Sequence, residues 1–118
     1  MKNFLAVFIG KEEAMKSWNQ LSDAEKKTRG QKGMAAWQKW VKDHEKAIVF
    51  GGSPLGRTKK ISAQGVSYFK NELCAYTIVQ AKDHNSAAEM FLNHPHFTLF
   101  PGDSIELLEC MPVPGEAK

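Results

Sequence analysis

The sequence predicts one α+β domain of the ferredoxin-like type, a split βαβ arrangement in which an antiparallel sheet carries helices on one face. Three observations lead there. Four segments rich in apolar, β-branched or aromatic residues, at 3–10, 47–56, 73–81 and 104–110, read as strands. Two helical patterns separate the first strand from the second, and a shorter one separates the third from the fourth. The 118 residues suit a single domain spanning 1–118, long enough to bury a core and too short for two ordinary domains.

Each element has its local reason. "NFLAVFIG" is a compact apolar run ending in glycine, as a buried strand should be. "KEEAMKSWNQL" spaces Ala14, Met15, Trp18 and Leu21 by threes and fours, which gives a short amphipathic helix. Ser22 and Glu25 have the form of a capping box, so a second, longer helix begins near Asp23. Its apolar stripe is Met34, Trp37, Val41 and His44, with Lys39, Lys42 and Glu45 on the other side; Gly30 and Gly33 weaken it and invite a bend. "AIVFGGSPLG" reads as a strand running into a Gly-Gly-Ser-Pro turn. "TKKIS" and "GVSYF" fit either short strands or a loop crossing the sheet. "LCAYTIVQA" has β-formers on both faces. "NSAAEMFLNH" is a short helix that Ser86 and Glu89 could cap and Pro95 stops. "SIELLEC" puts Ile105 and Leu107 on one face, Glu106 and Leu108 on the other, and the proline-rich tail "MPVPGEAK" is expected to be loosely held.

Composition excludes several functions. With 42% hydrophobic and 25% charged residues the chain is neither disordered nor fibrous, and a net charge of +3 spread among acidic residues implies no nucleic acid partner. No strand carries the aromatic motif of an RNA-recognition sheet, and the basic patch Lys26, Lys27, Arg29 and Lys32 reads as a solvated face. The longest apolar run, Phe4 to Ile9, is far short of a membrane span and lacks a signal-peptide cleavage site, so a cytoplasmic protein is expected. Cys74 and Cys110 lack zinc-site spacing and read as reduced core residues, on strands either side of a central first strand and too far apart to bridge.

The stretch "HPHFTLFPGDSIELLEC" raises the question of chemistry. His94 and His96 flank a proline without the further ligands a zinc site needs, so no metal is expected. The plain reading has His94 at a helix C-terminus, where imidazolium suits the dipole, with Pro95 stopping the helix. The functional reading has His96 or Asp103 meeting a polar ligand at the open end of the sheet. Asp43 and His44, being adjacent on a helix, point about 100° apart and form no dyad. "GGSPLG" lacks a phosphate-loop pattern. Trp18, Trp37 and Trp40, with Phe50 and Tyr68, suit a core or an aromatic pocket; Trp40, off the main stripe, belongs at a pocket or a subunit interface.

The first strand, the "AIVFGGSPLG" segment and "HPHFTLFPGDSIELLECMPVPG" resemble the YCII-related family of the dimeric α+β barrel superfamily, over nearly the whole chain. The resemblance implies a ferredoxin-like subunit that pairs with a second copy, sheet against sheet, to form a barrel with a ligand pocket in each subunit. A homodimer also follows from a sheet with helices on one side and both faces of 73–81 apolar. Some members of that family use a His-Asp dyad, one of them eliminating chloride from a hydroxyquinone-type substrate. The family's helix histidine falls at about Ala35 or Ala36 here, so that dyad is not carried over, and His96 with Asp103 is the catalytic pair left to nominate. Two functions stay open. One is a binder of a small organic, aromatic molecule, without a cofactor, whose pocket is walled by Trp37, Trp40, Ser53 and Pro54. The other is a cofactor-free lyase or monooxygenase-like enzyme on an aromatic or quinone-like substrate, which needs a titratable group in that pocket.

Overall fold

The computed structural model describes residues 1–115. Strands β1 (Lys2–Ile9), β2 (Ile48–Pro54), β5 (Leu73–Ala81) and β6 (Ser104–Glu109) form one sheet in the order β2-β5-β1-β6, every neighbouring pair antiparallel. Helices α1 (Glu12–Asn19) and α2 (Asp23–Asp43) connect β1 to β2, and α3 (His84–Glu89) and α4 (Pro95–Thr98) connect β5 to β6. This is the expected split βαβ order, with β1 central and helices on one face. The core lies between them. Phe4, Ala6 and Phe8 of β1 alternate onto the helix side with Val79 of β5, where Trp40, Ala87 and Phe91 cover them.

The long helix begins where the capping box places it. The Glu25 amide donates to Ser22 Oγ and the Ser22 amide to Glu25 Oε1, both at 3.1 Å. The Ser22 amide first, and then the Ser22 hydroxyl, hold the Glu25 carboxyl below its usual range. The helix runs unbroken through Gly30 and Gly33. Gly33 is there for space, since a Cβ would run into the Phe100 ring.

Four further expectations are corrected, and one left open is settled. The Gly-Gly-Ser-Pro segment is no turn: β2 continues through Pro54, with register shifts against β5 that bulge the strand around Gly51 and Gly52. Gly52 has φ +72°, and a Cβ there would collide with the Tyr76 carbonyl. Residues 58–69 form a separate two-stranded hairpin, β3 (Thr58–Ser62) and β4 (Gly65–Phe69). The cap of α3 is Asp83, which accepts from the Ser86 amide at 2.7 Å and is held below its usual pKa by that bond; Ser86 lies inside the helix. Pro95 starts α4 at its first position, where its missing N–H costs nothing, so His94 is an N-cap and not the end of a helix. Cys74 and Cys110 flank β1 and are free, but both are exposed, because they stand at strand ends beyond the helix cover. The tail forms no helix or strand through Gly115, and residues 116–118 lie outside the described residues.

Candidate functional site

Between α2 and the sheet lies a cavity of about 430 Å³. Helix α2 contributes Met34, Trp37, Trp40 and Val41, the apolar stripe read from its periodicity together with Trp40. The bulged end of β2 contributes Ser53 and Pro54, and the segment after α3 contributes His96 and Phe100. Phe8 and Thr77 form the floor. No charged side chain is among the lining residues. Met34 and Val41 of that stripe are about half exposed.

Each wall is fixed from behind. The Trp40 indole N–H donates to the Met90 carbonyl at 2.7 Å. The Trp37 ring lies 5.0 Å from Phe8 and perpendicular to His94 at 4.5 Å. The bulge of β2 is tied to the floor by Thr77 Oγ1, which donates to the Phe50 carbonyl at 2.9 Å.

The two histidines of the HPH stretch have different jobs. His94 is fully buried, and its Nδ1 accepts from the His96 amide at 3.0 Å, so the proton of the neutral ring sits on Nε2. That Nε2 is the one sealed side-chain polar atom without a partner among the described residues; aromatic rings enclose it. Burial, and to a lesser degree the neighbouring His96 and His44, push its pKa down to about 4, so it is neutral near pH 7. The imidazolium expected at a helix C-terminus is therefore replaced by a neutral acceptor at an N-terminus. His96 is also buried, and its Nε2 lies 2.8 Å from the Ile9 carbonyl, which makes Nε2 the donor. In the neutral tautomer this leaves Nδ1 as the acceptor; it has no hydrogen-bond partner among the described residues and is not among the sealed atoms. Gly102 lies flat against this ring, where a Cβ would collide with it.

Five of the six site residues named from the sequence, Trp37, Trp40, Ser53, Pro54 and His96, line this one cavity. Asp103 does not. Its carboxylate stands 3.8 Å from Lys11 Nζ and accepts from Ser104 Oγ, and it borders a separate cleft with Phe91, Phe97 and Ile105. His96 and Asp103 share only the Ile9 carbonyl, which also accepts the Asp103 amide at 2.9 Å; no hydrogen bond joins their side chains. Sequence reasoning missed Phe8, Thr77 and Phe100 in the lining and the capping role of His94. A signal existed for the last, since a residue just before a proline at N1 stands where an N-cap belongs. Among the described residues no three His, Cys, Asp or Glu side chains come together to hold a metal, and no helix is long and apolar enough to cross a membrane.

Neither a protein-family model nor a curated protein matches the chain. Among solved structures, it is similar to 5-chloro-2-hydroxyhydroquinone dehydrochlorinase of Burkholderia phenoliruptrix AC1100, solved in complex with 2,5-dihydroxybenzoquinone. The match covers 89% of each chain with a TM-score of 0.52 and 12% sequence identity. That likeness shows a shared α+β fold.

Proposed function

We propose that this chain binds a small, neutral, planar organic molecule in the cavity between α2 and the sheet, as a YCII-like subunit of a homodimer. One observation carries the reading: a cavity of a volume usual for small-molecule sites has mostly aromatic and aliphatic walls without a charged side chain, and the His96 ring, fixed through Nε2, is among its few polar groups. An unprotonated Nδ1 accepts from a hydroxyl, and Trp37 and Trp40 supply flat apolar contact, so a hydroxylated ring suits both. The absence of a lysine or arginine in the lining argues against a carboxylate or phosphate ligand. The similar structure was solved with a molecule of the favoured shape.

The dimer is supported by the other face of the sheet. Leu5 pairs with Ile78 and Leu108, Val7 with Tyr76, and Phe50 with Ile78, which makes an apolar face that no helix covers.

The same His96 favours a second reading, an enzyme in which Nδ1 takes a proton from the bound ring while Nε2–H stays on the Ile9 carbonyl. Asp103 would then have no direct part. Isothermal titration calorimetry with 2,5-dihydroxybenzoquinone and with uncharged hydroquinones tests both readings. Saturable binding at one site per chain, weakened tenfold or more by Trp37→Ala, is expected. Absence of saturable binding to any of these rings at millimolar concentration removes the proposal. Turnover lost in His96→Asn, with binding kept, selects the enzyme.

A further inference from the structure

We propose that the β3–β4 hairpin is an arm that grips a second copy of this chain along its acidic edge strand β6. The inference rests on the homodimer reading and adds where the two copies interlock.

The arm does not hold itself up. Nearly all of both strands is exposed, with Ile61 79%, Val66 64% and Tyr68 87% accessible. Isolated two-stranded hairpins are marginal in water, and Ile61, Val66 and Tyr68 stay largely exposed, with only Lys59 Nζ over the Tyr68 ring. Ile61 pairs with Val66 and Lys59 with Tyr68, so all four lie on one face of the ribbon and make it both apolar and cationic.

Charge says what that face meets. Residues 57–70 hold Arg57, Lys59, Lys60 and Lys70 and no acid, while the whole chain is only +3, so the remainder is net negative by one. Residues 103–109 hold Asp103, Glu106 and Glu109 and no base; Asp103 meets Lys11, and Glu109, beside Phe4 on the helix side, meets Lys2, which leaves Glu106. Glu106 lies beside Val7 on the uncovered face of the sheet and has no ion pair among the described residues. Leu108, also on that face, is about half exposed. Strand β6 is moreover an edge strand, with one side of its backbone unpaired.

Topology says whose β6 it is. The arm leaves the sheet from β2, at the opposite edge from β6 and three strand spacings, roughly 14 Å, away. When two such sheets face each other about a two-fold axis running along their strands, β2 of one copy falls opposite β6 of the other. A cationic arm and an acidic edge at opposite ends of one sheet are then complementary twice over, as an isologous interface requires. A single-stranded nucleic acid suits the arm less well, because a lysine already lies over one face of each ring it would stack on: Lys59 Nζ 5.0 Å over Tyr68 and Lys60 Nζ 5.1 Å over Phe69.

The contact bears on the cavity. The arm begins after Pro54 and ends before Cys74, both of which line it, so a docked arm fixes that wall.

Sedimentation equilibrium on the full chain tests this with Lys59→Glu, Glu106→Lys and the two changes combined, each shown by circular dichroism to be folded. We expect each one-sided reversal to weaken the dimer tenfold or more and the combination to restore it. A carbodiimide cross-link between Lys59 or Lys60 of one copy and Glu106 of the other, present only in the dimer fraction, is the second expected result. A wild-type dimer that ignores all three variants overturns the arm and leaves the homodimer reading intact. A wild-type monomer at every concentration overturns both. If Lys59→Glu abolishes retention on an immobilised single-stranded oligonucleotide while leaving the dimer unchanged, the arm is a polyanion surface and the inference is wrong.

Discussion

The two faces of the sheet share their strands and differ in what covers them. On the helix side Phe4, Ala6 and Val79 are sealed completely and Phe8 nearly so. On the other side, one residue along each strand, Leu5, Val7, Tyr76 and Ile78 are only partly covered, and Phe50 and Leu108 are about half exposed. Alternation normally puts polar residues on the uncovered side of an antiparallel sheet. Here both sides are apolar, so the strand composition anticipates a second layer that the chain itself does not supply. The helix side stabilises the subunit, and the other side is the face of the proposed association.

The sharpest way to break that comparison is Phe8→Ala. It removes a ring packed against Trp37, Phe91 and His94 and should cost about 3–5 kcal/mol in urea unfolding. Acid should act next most strongly, through His94 on the same side. An unfolded histidine titrates near 6.5, whereas burial lowers the folded value to about 4, so the folded form resists protonation. Its stability is fully present above pH 6.5 and is lost as pH falls towards 4, by roughly 2 kcal/mol at pH 5 and 3 at pH 4. Unfolding free energies at pH 7.5 and 5.0 check this, and His94→Asn, which keeps an N-cap acceptor, should flatten the dependence. A wild type equally stable at both values would refute the assignment of His94 as a sealed neutral acceptor. Gly33→Ala should come third. The methyl group gains helix propensity but displaces Phe100, for a net loss of about 1–2 kcal/mol and a reshaped cavity.

These effects mark what the sequence made legible. The capping box at Ser22 and Glu25, the buried first strand and the strand order follow from local rules, and the structure obeys them. Walls of the cavity on α2 were legible through periodicity, because the stripe that faces the sheet also faces any gap against it. What stayed hidden depends on contacts between distant segments. Gly33 reads as a helix-weakening residue until Phe100, 67 positions later, fills the space beside it. Gly51 and Gly52 read as a turn because glycine marks turns and bulges alike, and only pairing with Tyr76 decides between them. His96 and Asp103 look like a pair in a string of residues, yet the turn at Pro101-Gly102 separates them, and each meets the Ile9 carbonyl on its own. Cys74 looks like core by type, and its place at the end of β5 exposes it.

The smallest effect on the subunit should come from the uncovered face, and that smallness is the point. Leu108 stands on β6 opposite Leu5, half exposed and outside the helix-side core. Leu108→Lys takes little from the isolated subunit, and its unfolding free energy at low protein concentration should stay within about 0.5 kcal/mol of wild type. In a dimer the same side chain is enclosed between two apolar sheets, where an unpaired ammonium is costly. The melting temperature of the wild type should then rise with protein concentration, because association favours only the folded form, while that of Leu108→Lys should not. If both proteins melt at concentration-independent temperatures, the uncovered face is not an interface between copies. If Leu108→Lys instead destabilises the dilute subunit as Phe8→Ala does, the two faces are not the distinct layers their burial indicates.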